Sequence, residues 1–232
     1  MKRAIAIVMA LGFAACARDA APTQSSDAPA PAADPYPEGP VSLDLWLERL
    51  EVGSRELYSA RAAVVGAVET APGARIADIG AGTGVFSLLF AERAGAEGVV
   101  YAIDIEPRFL TLINQRAEDL GLDNIVSVLG RDDSITLPPQ SVDIVFICDT
   151  YHYFDNRDAI MKTVFEALRP GGSLYVVDYD LPDGAAPPAD KRHVRMGRAG
   201  VAAEIEAMGF DKAERVAADG LVENYMLRFR KP

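Results

Sequence analysis

Three glycines at alternate positions follow an acidic residue in the segment Arg75-Ile-Ala-Asp-Ile-Gly-Ala-Gly-Thr-Gly84. Such a segment predicts a buried strand, a tight turn and a helix that begins near Val85. Glycines in the turn let the backbone pass close to a ligand, and the amino terminus of the helix favours an anionic group. The pattern therefore predicts the binding of a charged cofactor. A dinucleotide would require Gly-x-Gly-x-x-Gly, and Val85 occupies the position of the last glycine, which disfavours a dehydrogenase.

The pattern Asp-x-Gly-x-Gly-x-Gly resembles the first motif of class I S-adenosylmethionine-dependent methyltransferases, and the resemblance extends over roughly Leu57 to Phe229. It implies that S-adenosyl-L-methionine is the cofactor and that Asp78 holds its ammonium group, directly or through water. The helix near Val85 would then face the methionyl carboxylate. The residues expected to form the turn beneath the cofactor are Gly80, Ala81, Gly82, Thr83 and Gly84.

Two further acidic positions are expected to bind the nucleoside part of the cofactor. Asp104 ends the second predicted strand, where a carboxylate can accept both ribose hydroxyls, and the resemblance implies that Ile105 packs on adenine. Glu106 competes for the ribose, although the register of the motif favours Asp104. After the third predicted strand, Asp132 or Asp133 is expected to accept the adenine amino group, and a solvated acidic turn is the alternative.

The segment Cys148-Asp-Thr-Tyr-His-Tyr-Phe154 ends the fourth predicted strand and is expected to face the transferable methyl group. His152 is the candidate base, because an imidazole pKa of about 6.5 suits proton transfer near neutral pH. The alternative is that His152 only hydrogen-bonds the loop. Asp149 is a candidate to contact the cofactor, to hold a substrate amine or to orient His152. Tyr151 and Tyr153 are candidates for an aromatic wall, which makes His152, Asp149 and Tyr151 the candidate catalytic residues.

No metal ion is expected at this end of the sheet. Asp149 and Asp178 resemble the acidic residues that hold Mg²⁺ in catechol-type enzymes, and such ions require several oxygen ligands. Those enzymes carry an Asp-Asn pair where this chain has Asp178 and Tyr179, which disfavours the metal.

A second loop is expected beside the site. Proline and alanine are frequent in Leu181–Asp190, which is a candidate lid, and the basic segment Lys191–Arg195 follows it. His193 or Arg195 could contact an anionic substrate, and a basic helix start or a simple surface is the alternative.

Apolar runs and helical periodicity alternate along the chain, as expected for an α/β fold whose parallel sheet is covered on both faces. The last two predicted strands have no helix between them and can therefore only be antiparallel. The resemblance implies a Rossmann-like three-layer sandwich with a seven-stranded, mostly parallel sheet, in which the last strand is antiparallel and lies beside the fifth. The predicted strands are Arg75–Ile79, Gly98–Ile103, Ile125–Leu129, Val142–Cys148, Ser173–Asp178, Lys212–Ala217 and Glu223–Arg230. The predicted helices are 43–50, 57–68, Val85–Ala94, Pro107–Leu120, Arg157–Leu168 and Val194–Met208.

Residues 1–16 are predicted to be a targeting signal. Two basic residues precede an apolar run at Ala4–Phe13, which is too short for a mature membrane helix. Small residues before Cys16 resemble the bacterial lipoprotein signal, in which the cysteine becomes lipid-modified. This predicts a cell-envelope lipoprotein that faces the periplasm and touches the membrane only through Cys16. Ordinary export to the periplasm and a retained cytoplasmic segment are the alternatives. Residues 17–40, rich in alanine and proline, predict a disordered tether before a domain at 41–232.

The net charge of −11 excludes the basic footprint that nucleic-acid binding requires. The predicted function is methyl transfer from S-adenosylmethionine to oxygen, nitrogen or carbon of a small molecule. One alternative is an exported protein that binds S-adenosylmethionine or S-adenosylhomocysteine without catalysis. Another is a protein methyltransferase, which the lack of a recognisable peptide-binding domain disfavours.

Overall fold

The computed structural model describes residues 42–182, 184–188 and 191–232. The predicted signal, the predicted tether and part of the predicted lid lie outside these residues. Within them, no helix combines the length and the apolar character that crossing a membrane requires.

Seven strands form one sheet in the order β3-β2-β1-β4-β5-β7-β6. Strands β1 to β5 pair in parallel, and β7 is antiparallel to both β5 and β6. The predicted α/β sandwich with an antiparallel last strand beside the fifth is confirmed. The strands are β1 (Arg75–Ile79), β2 (Val99–Asp104), β3 (Ile125–Leu129), β4 (Val142–Cys148), β5 (Leu168–Tyr179), β6 (Glu214–Arg215) and β7 (Asn224–Arg230). The α-helices of the described residues are α1 (Leu43–Leu50), α2 (Glu56–Ser59), α3 (Arg61–Ala67), α4 (Val85–Ala94), α5 (Pro107–Leu120), α6 (Arg157–Ala167) and α7 (Arg198–Ala207), with a 3₁₀ turn at Tyr151–Tyr153.

The hydrophobic core lies on both faces of the sheet, because alternate strand residues point to opposite sides. On one face, Val145 and Ile147 pack with residues of α6 and α7. On the other face, Phe146 packs with residues of α3 and α4, including Phe90 at a ring-centroid distance of 4.9 Å. This double burial explains why the central strands read as continuous apolar runs.

Local sequence signals fix several element ends. Pro107 is the first residue of α5, and Gly121 ends that helix with φ 67°, as predicted. The segment Arg169–Gly172 lies before Ser173, the predicted start of the fifth strand, and in the structure it belongs to β5 with an irregular register. Residue pairs move there from Val142–Leu168 to Ile144–Ser173.

The structure corrects three predicted boundaries. The single helix predicted over 57–68 is divided at Ala60, whose ψ of 0° departs from helical geometry. The last helix begins at Arg198 rather than near Val194, because Gly197 is its extended N-cap residue with φ −85° and ψ 177°. Strand β6 is only two residues long, and both are exposed at the sheet edge.

Candidate functional site

A cleft lies beyond the carboxyl ends of β1, β2 and β4, where ligands bind in open α/β sheets. We divide it into two chambers, which share Gly80, Thr150 and Tyr153 as lining residues. The strand chamber lies beyond β2 and β3, and its other lining residues include Asp104, Ile105, Asp132, Ile135 and Phe154. The helical chamber lies beneath α1 and α2, and its other lining residues include Trp46, Arg55, Tyr58, Phe86, Phe109 and Asp149.

The glycine turn follows β1 and forms the floor shared by both chambers. Gly80 has φ 70°, and a Cβ atom there would lie 2.4 Å from the side chain of Thr150. Gly84 has φ 86°, and its Cβ would lie 2.6 Å from Ile113. Both positions therefore require glycine because of the backbone conformation and the packing of the chain against itself. From the sequence, glycine was expected at these positions only because the cofactor passes close to the backbone.

Asp78 is placed differently from its prediction. It is buried, and Ser87 donates a hydrogen bond to its carboxylate over 2.5 Å. Burial raises the pKa of Asp78 to about 7. The carboxylate lines neither chamber, so the structure does not bring Asp78 to the ligand surface and assigns it to the first turn of α4.

Asp104 stands at the end of β2 and faces the strand chamber. Its Oδ2 accepts the N–H of Gly82 and its Oδ1 accepts the N–H of Glu106, each over 2.9 Å. Burial raises the pKa of Asp104, and the two N–H donors oppose that shift. Glu106 is instead paired with Arg108 over 2.7 Å, and hydrogen bonds from that side chain lower the pKa of Glu106 to about 2. Of the two candidates for the ribose, only Asp104 lines the chamber.

The lining of the strand chamber also distinguishes the other residues expected to bind the nucleoside. Ile105 lines it with 64% of its surface exposed, which leaves its side chain available for packing on a flat ring. Asp132 also lines the chamber, whereas Asp133 lies 3.2 Å from Arg131 and does not. The geometry thus favours Asp132 over Asp133 for the adenine amino group.

Five aromatic side chains of the described residues line the helical chamber. Trp46 of α1 packs edge-on against Phe109 of α5 with ring centroids 5.8 Å apart. Tyr58 of α2, Phe86 of α4 and Tyr153 complete the set. The first two helices therefore lie against the helical chamber and contribute Trp46, Leu50, Leu57 and Tyr58 to its lining.

Arg55 is a site residue that sequence reasoning missed. Its Nη2 donates to Asp149 over 2.5 Å, although the two residues are 94 positions apart. Asp149 adopts φ 53°, an uncommon conformation for a residue with a side chain and one found at functional sites. Burial would raise the pKa of Asp149, but the nearby Arg55 guanidinium overcomes it and holds that pKa below its usual range. Because Arg55 lies in a short turn without a motif, no sequence signal pointed to it.

His152 is oriented by a different carboxylate from the one considered in the sequence. Its Nδ1 lies 2.7 and 2.9 Å from the two carboxylate oxygens of Asp178, at the end of β5. Asp149 is committed to Arg55, so Asp178 takes the orienting role suggested for Asp149. The neighbouring ring of Tyr153 lies 4.1 Å from that of His152 and is stacked on His193 at 5.1 Å.

Tyr151 does not form part of the aromatic wall. Its ring is buried in the core, and its hydroxyl donates to Glu204 of α7 over 2.9 Å. Burial, reinforced by Glu204, raises the pKa of Tyr151. A 3₁₀ turn directs Tyr151 inward, and of the two tyrosines only Tyr153 lines the chambers. A catalytic role of Tyr151 stays a prediction that its position does not support.

Three side chains could in principle share a metal ion. Asp149, His152 and Asp178 each offer a ligand atom within 4.8 Å of the others. In the structure, Arg55 pairs with Asp149, and Asp178 pairs with His152. Arg55 balances the charge of Asp149, and Asp178 has a hydrogen-bond partner in His152. The expectation that no metal binds stays a prediction.

Comparisons with known proteins agree with the geometry. A family model described as a methyltransferase domain matches residues 71–216. The chain is 29% identical over 112 residues to the ubiquinone/menaquinone biosynthesis C-methyltransferase UbiE of Vibrio vulnificus, covering 48% of this chain and 43% of the relative. It is 25% identical over 151 residues to the enzyme of the same name from Shewanella frigidimarina, covering 65% and 59%. The chain thus spans about half the length of the curated relatives it matches. The crystal structure of a SAM-dependent methyltransferase from Aquifex aeolicus aligns with a TM-score of 0.66 and 20% identity, over 82% of this chain and 98% of that one.

Proposed function

We propose that this chain, which belongs to the methyltransferase-domain family and is a class I enzyme that uses S-adenosylmethionine, methylates a small molecule. The acceptor would lie in the helical chamber beside the methionyl part of the cofactor, because Gly80, Gly82 and Thr83 of the glycine turn also line that chamber. The observation that carries the proposal is that the two chambers are neighbours, with Gly80, Thr150 and Tyr153 lining both. A nucleoside in the strand chamber would extend towards an aromatic space that α1 and α2 cover. A covered space of this kind suits a compact acceptor better than a peptide chain.

The residues of the strand chamber fit the nucleoside. Asp104 keeps lone pairs for two ribose hydroxyls after accepting its backbone donors. Ile105 and Asp132 are suited to the face and the amino group of adenine. When bound, the cofactor supplies an electrophilic methyl group on a sulfonium. The chain's part is then to position the acceptor and to exclude water.

The named activity of the curated relatives also supports a small-molecule acceptor. They are C-methyltransferases of ubiquinone and menaquinone biosynthesis. The aromatic lining of the helical chamber, from Trp46 to Tyr153, is compatible with a flat, largely apolar acceptor.

Calorimetric titration with S-adenosylmethionine, S-adenosylhomocysteine and NADH tests the cofactor site. We expect binding of the first two and none of NADH. Transfer of a radiolabelled methyl group is then compared between a small-molecule extract and a protein fraction. Label that enters only protein would contradict the small-molecule acceptor and support the protein methyltransferase.

We further propose that the protein is exported and anchored to the membrane through a lipid on Cys16, with soluble export as the alternative. The basic residues, the apolar run and the small residues before Cys16 support this proposal. In a bacterial host, Cys16→Ser should move the protein from the membrane fraction to the soluble fraction. Cys148→Ser, at the other cysteine, is the control and should not. Membrane association of both variants would reject the anchor.

A further inference from the structure

The His152–Asp178 pair is the most enclosed charged contact of the site. The side chains are 5% and 3% exposed. Both oxygens of Asp178 lie within hydrogen-bond distance of Nδ1 of His152, and Oδ1 also accepts the N–H of Tyr179 over 2.8 Å. The carboxylate is therefore held by the backbone of its own strand while it faces the imidazole.

This arrangement determines which nitrogen carries the proton. An ionised carboxylate only accepts hydrogen bonds, so Nδ1 must carry a proton, and in a neutral imidazole it is then the only protonated nitrogen. The other nitrogen, Nε2, then presents a lone pair. Nε2 is buried and has no hydrogen-bond partner among the described residues. A buried acceptor without a partner is costly, and a group that donates a hydrogen bond during the reaction would remove that cost.

His152 itself lines neither chamber, and its neighbour Tyr153 relates it to the cleft. The ring of Tyr153, which lines both chambers, lies 4.1 Å from it. The ring of His193, in the segment before α7, lies 4.7 Å from the ring of His152. Charged groups near this cluster include Asp149 after β4, Arg55 before α2 and Lys191.

We infer that Asp178 is a positioning residue that makes Nε2 of His152 the proton acceptor for a hydroxyl group of the methyl acceptor, preferably an aromatic hydroxyl. This rests on the proposed function. The hydroxyl proton passes to Nε2 while the oxygen forms its bond to the methyl carbon. The electron pair of the broken carbon–sulfur bond remains on sulfur, and the imidazolium later releases its proton to water. A phenol, whose pKa is about 10, needs such a base at neutral pH. Because His152 lines neither chamber, the acceptor would reach Nε2 only after a rearrangement of neighbouring side chains, such as the stacked rings of Tyr153 and His193.

The tautomer of His152 tests the first part without any cofactor or substrate. The chain contains two histidines, so a long-range ¹H–¹⁵N correlation spectrum of the whole protein is simple, and His193→Gln assigns it. We expect His152 to be protonated at Nδ1 and unprotonated at Nε2. Protonation of Nε2 in the unmodified protein would overturn the inference, whatever the outcome of the cofactor titration.

Asp178→Asn is the informative variant. The amide can donate to Nδ1, which moves the proton to Nε2, as happens when the triad aspartate of serine proteases becomes asparagine. Asp180→Asn is the matched control, because this carboxylate lies two residues along and pairs with Arg198 over 2.9 Å. An unchanged tautomer in Asp178→Asn, or the same change in Asp180→Asn, would overturn the positioning role.

Turnover tests the second part. Methyl transfer is measured on phenols graded in acidity, with S-adenosylmethionine saturating. For weakly acidic phenols, His152→Gln and Asp178→Asn should lower kcat by about 10²–10⁴-fold, the usual contribution of a general base. The loss should shrink for nitrophenols already ionised at the assay pH. An equal loss across the series would indicate a merely structural pair, and failure of the unmodified enzyme to methylate any phenol would exclude the proposed acceptor class.

Discussion

Replacement of Asp104 by alanine separates the two carboxylates that compete for the ribose. Asp104 is 6% exposed and is fixed by the N–H groups of Gly82 and Glu106. Loss of one charge-assisted hydrogen bond to a ribose hydroxyl costs about 1.5–3 kcal/mol. The dissociation constant for S-adenosylmethionine should therefore rise roughly 10- to 150-fold, and isothermal calorimetry would measure it.

Glu106→Ala is the matched control for this experiment. Glu106 is paired with Arg108 and caps the start of α5. Exposed ion pairs of this kind contribute little free energy. We expect its cofactor affinity to change by less than about threefold, in keeping with that small contribution. Thermal unfolding of both variants would show whether Asp104→Ala is folded. The reasoning would be refuted if folded Asp104→Ala bound normally, or if Glu106→Ala lost more affinity.

Three further perturbations test the site. Because burial raises the pKa of Asp78 to about 7, folding favours its protonated form, so the free energy of unfolding should fall as pH rises from about 4 to about 7. Asp78→Asn should flatten that fall in urea titrations, and an unaltered slope would contradict the pKa. Gly80→Ala should destabilise the fold by about 1–3 kcal/mol through its clash with Thr150 and its positive φ. Thr150→Gly in the same chain should recover part of the loss, and no recovery would reject the clash. Treatment with EDTA should leave turnover unchanged, because Asp149 and Asp178 are already paired. Activity that is lost and then restored by one divalent ion would show a metal site.

The fold and the cofactor loop could be predicted because their signals are local. The strand, the glycines and the helix from Arg75 to Ala94 follow one another without interruption. The acid at the end of β2 follows from the same alternation. The choice between Asp132 and Asp133 was not predictable, because neighbouring residues in a turn differ only in the direction of their side chains.

The arrangement of Asp149, His152 and Asp178 was harder to predict, because it depends on contacts between distant segments. The parallel neighbours β4 and β5 place Asp149 and Asp178 at the same edge, but the sequence does not show which of them holds His152. That choice follows from Arg55, which comes from a turn 94 positions earlier and occupies Asp149. The direction of Tyr151 likewise depends on Glu204, its partner in α7.

The family model includes the cofactor-binding residues of the cleft but not the N-terminal residues that line the helical chamber. The matched segment, residues 71–216, includes the glycine turn, Asp104, Asp132 and the His152–Asp178 pair. Trp46, Arg55 and Tyr58 lie before it, yet they cover the helical chamber. Family membership therefore accounts for the cofactor. In the proposed function, the acceptor lies against helices that the family model does not reach. A substrate inferred from the family alone would ignore the helices that line the helical chamber. The search for the acceptor should therefore start from the aromatic rings of α1 and α2.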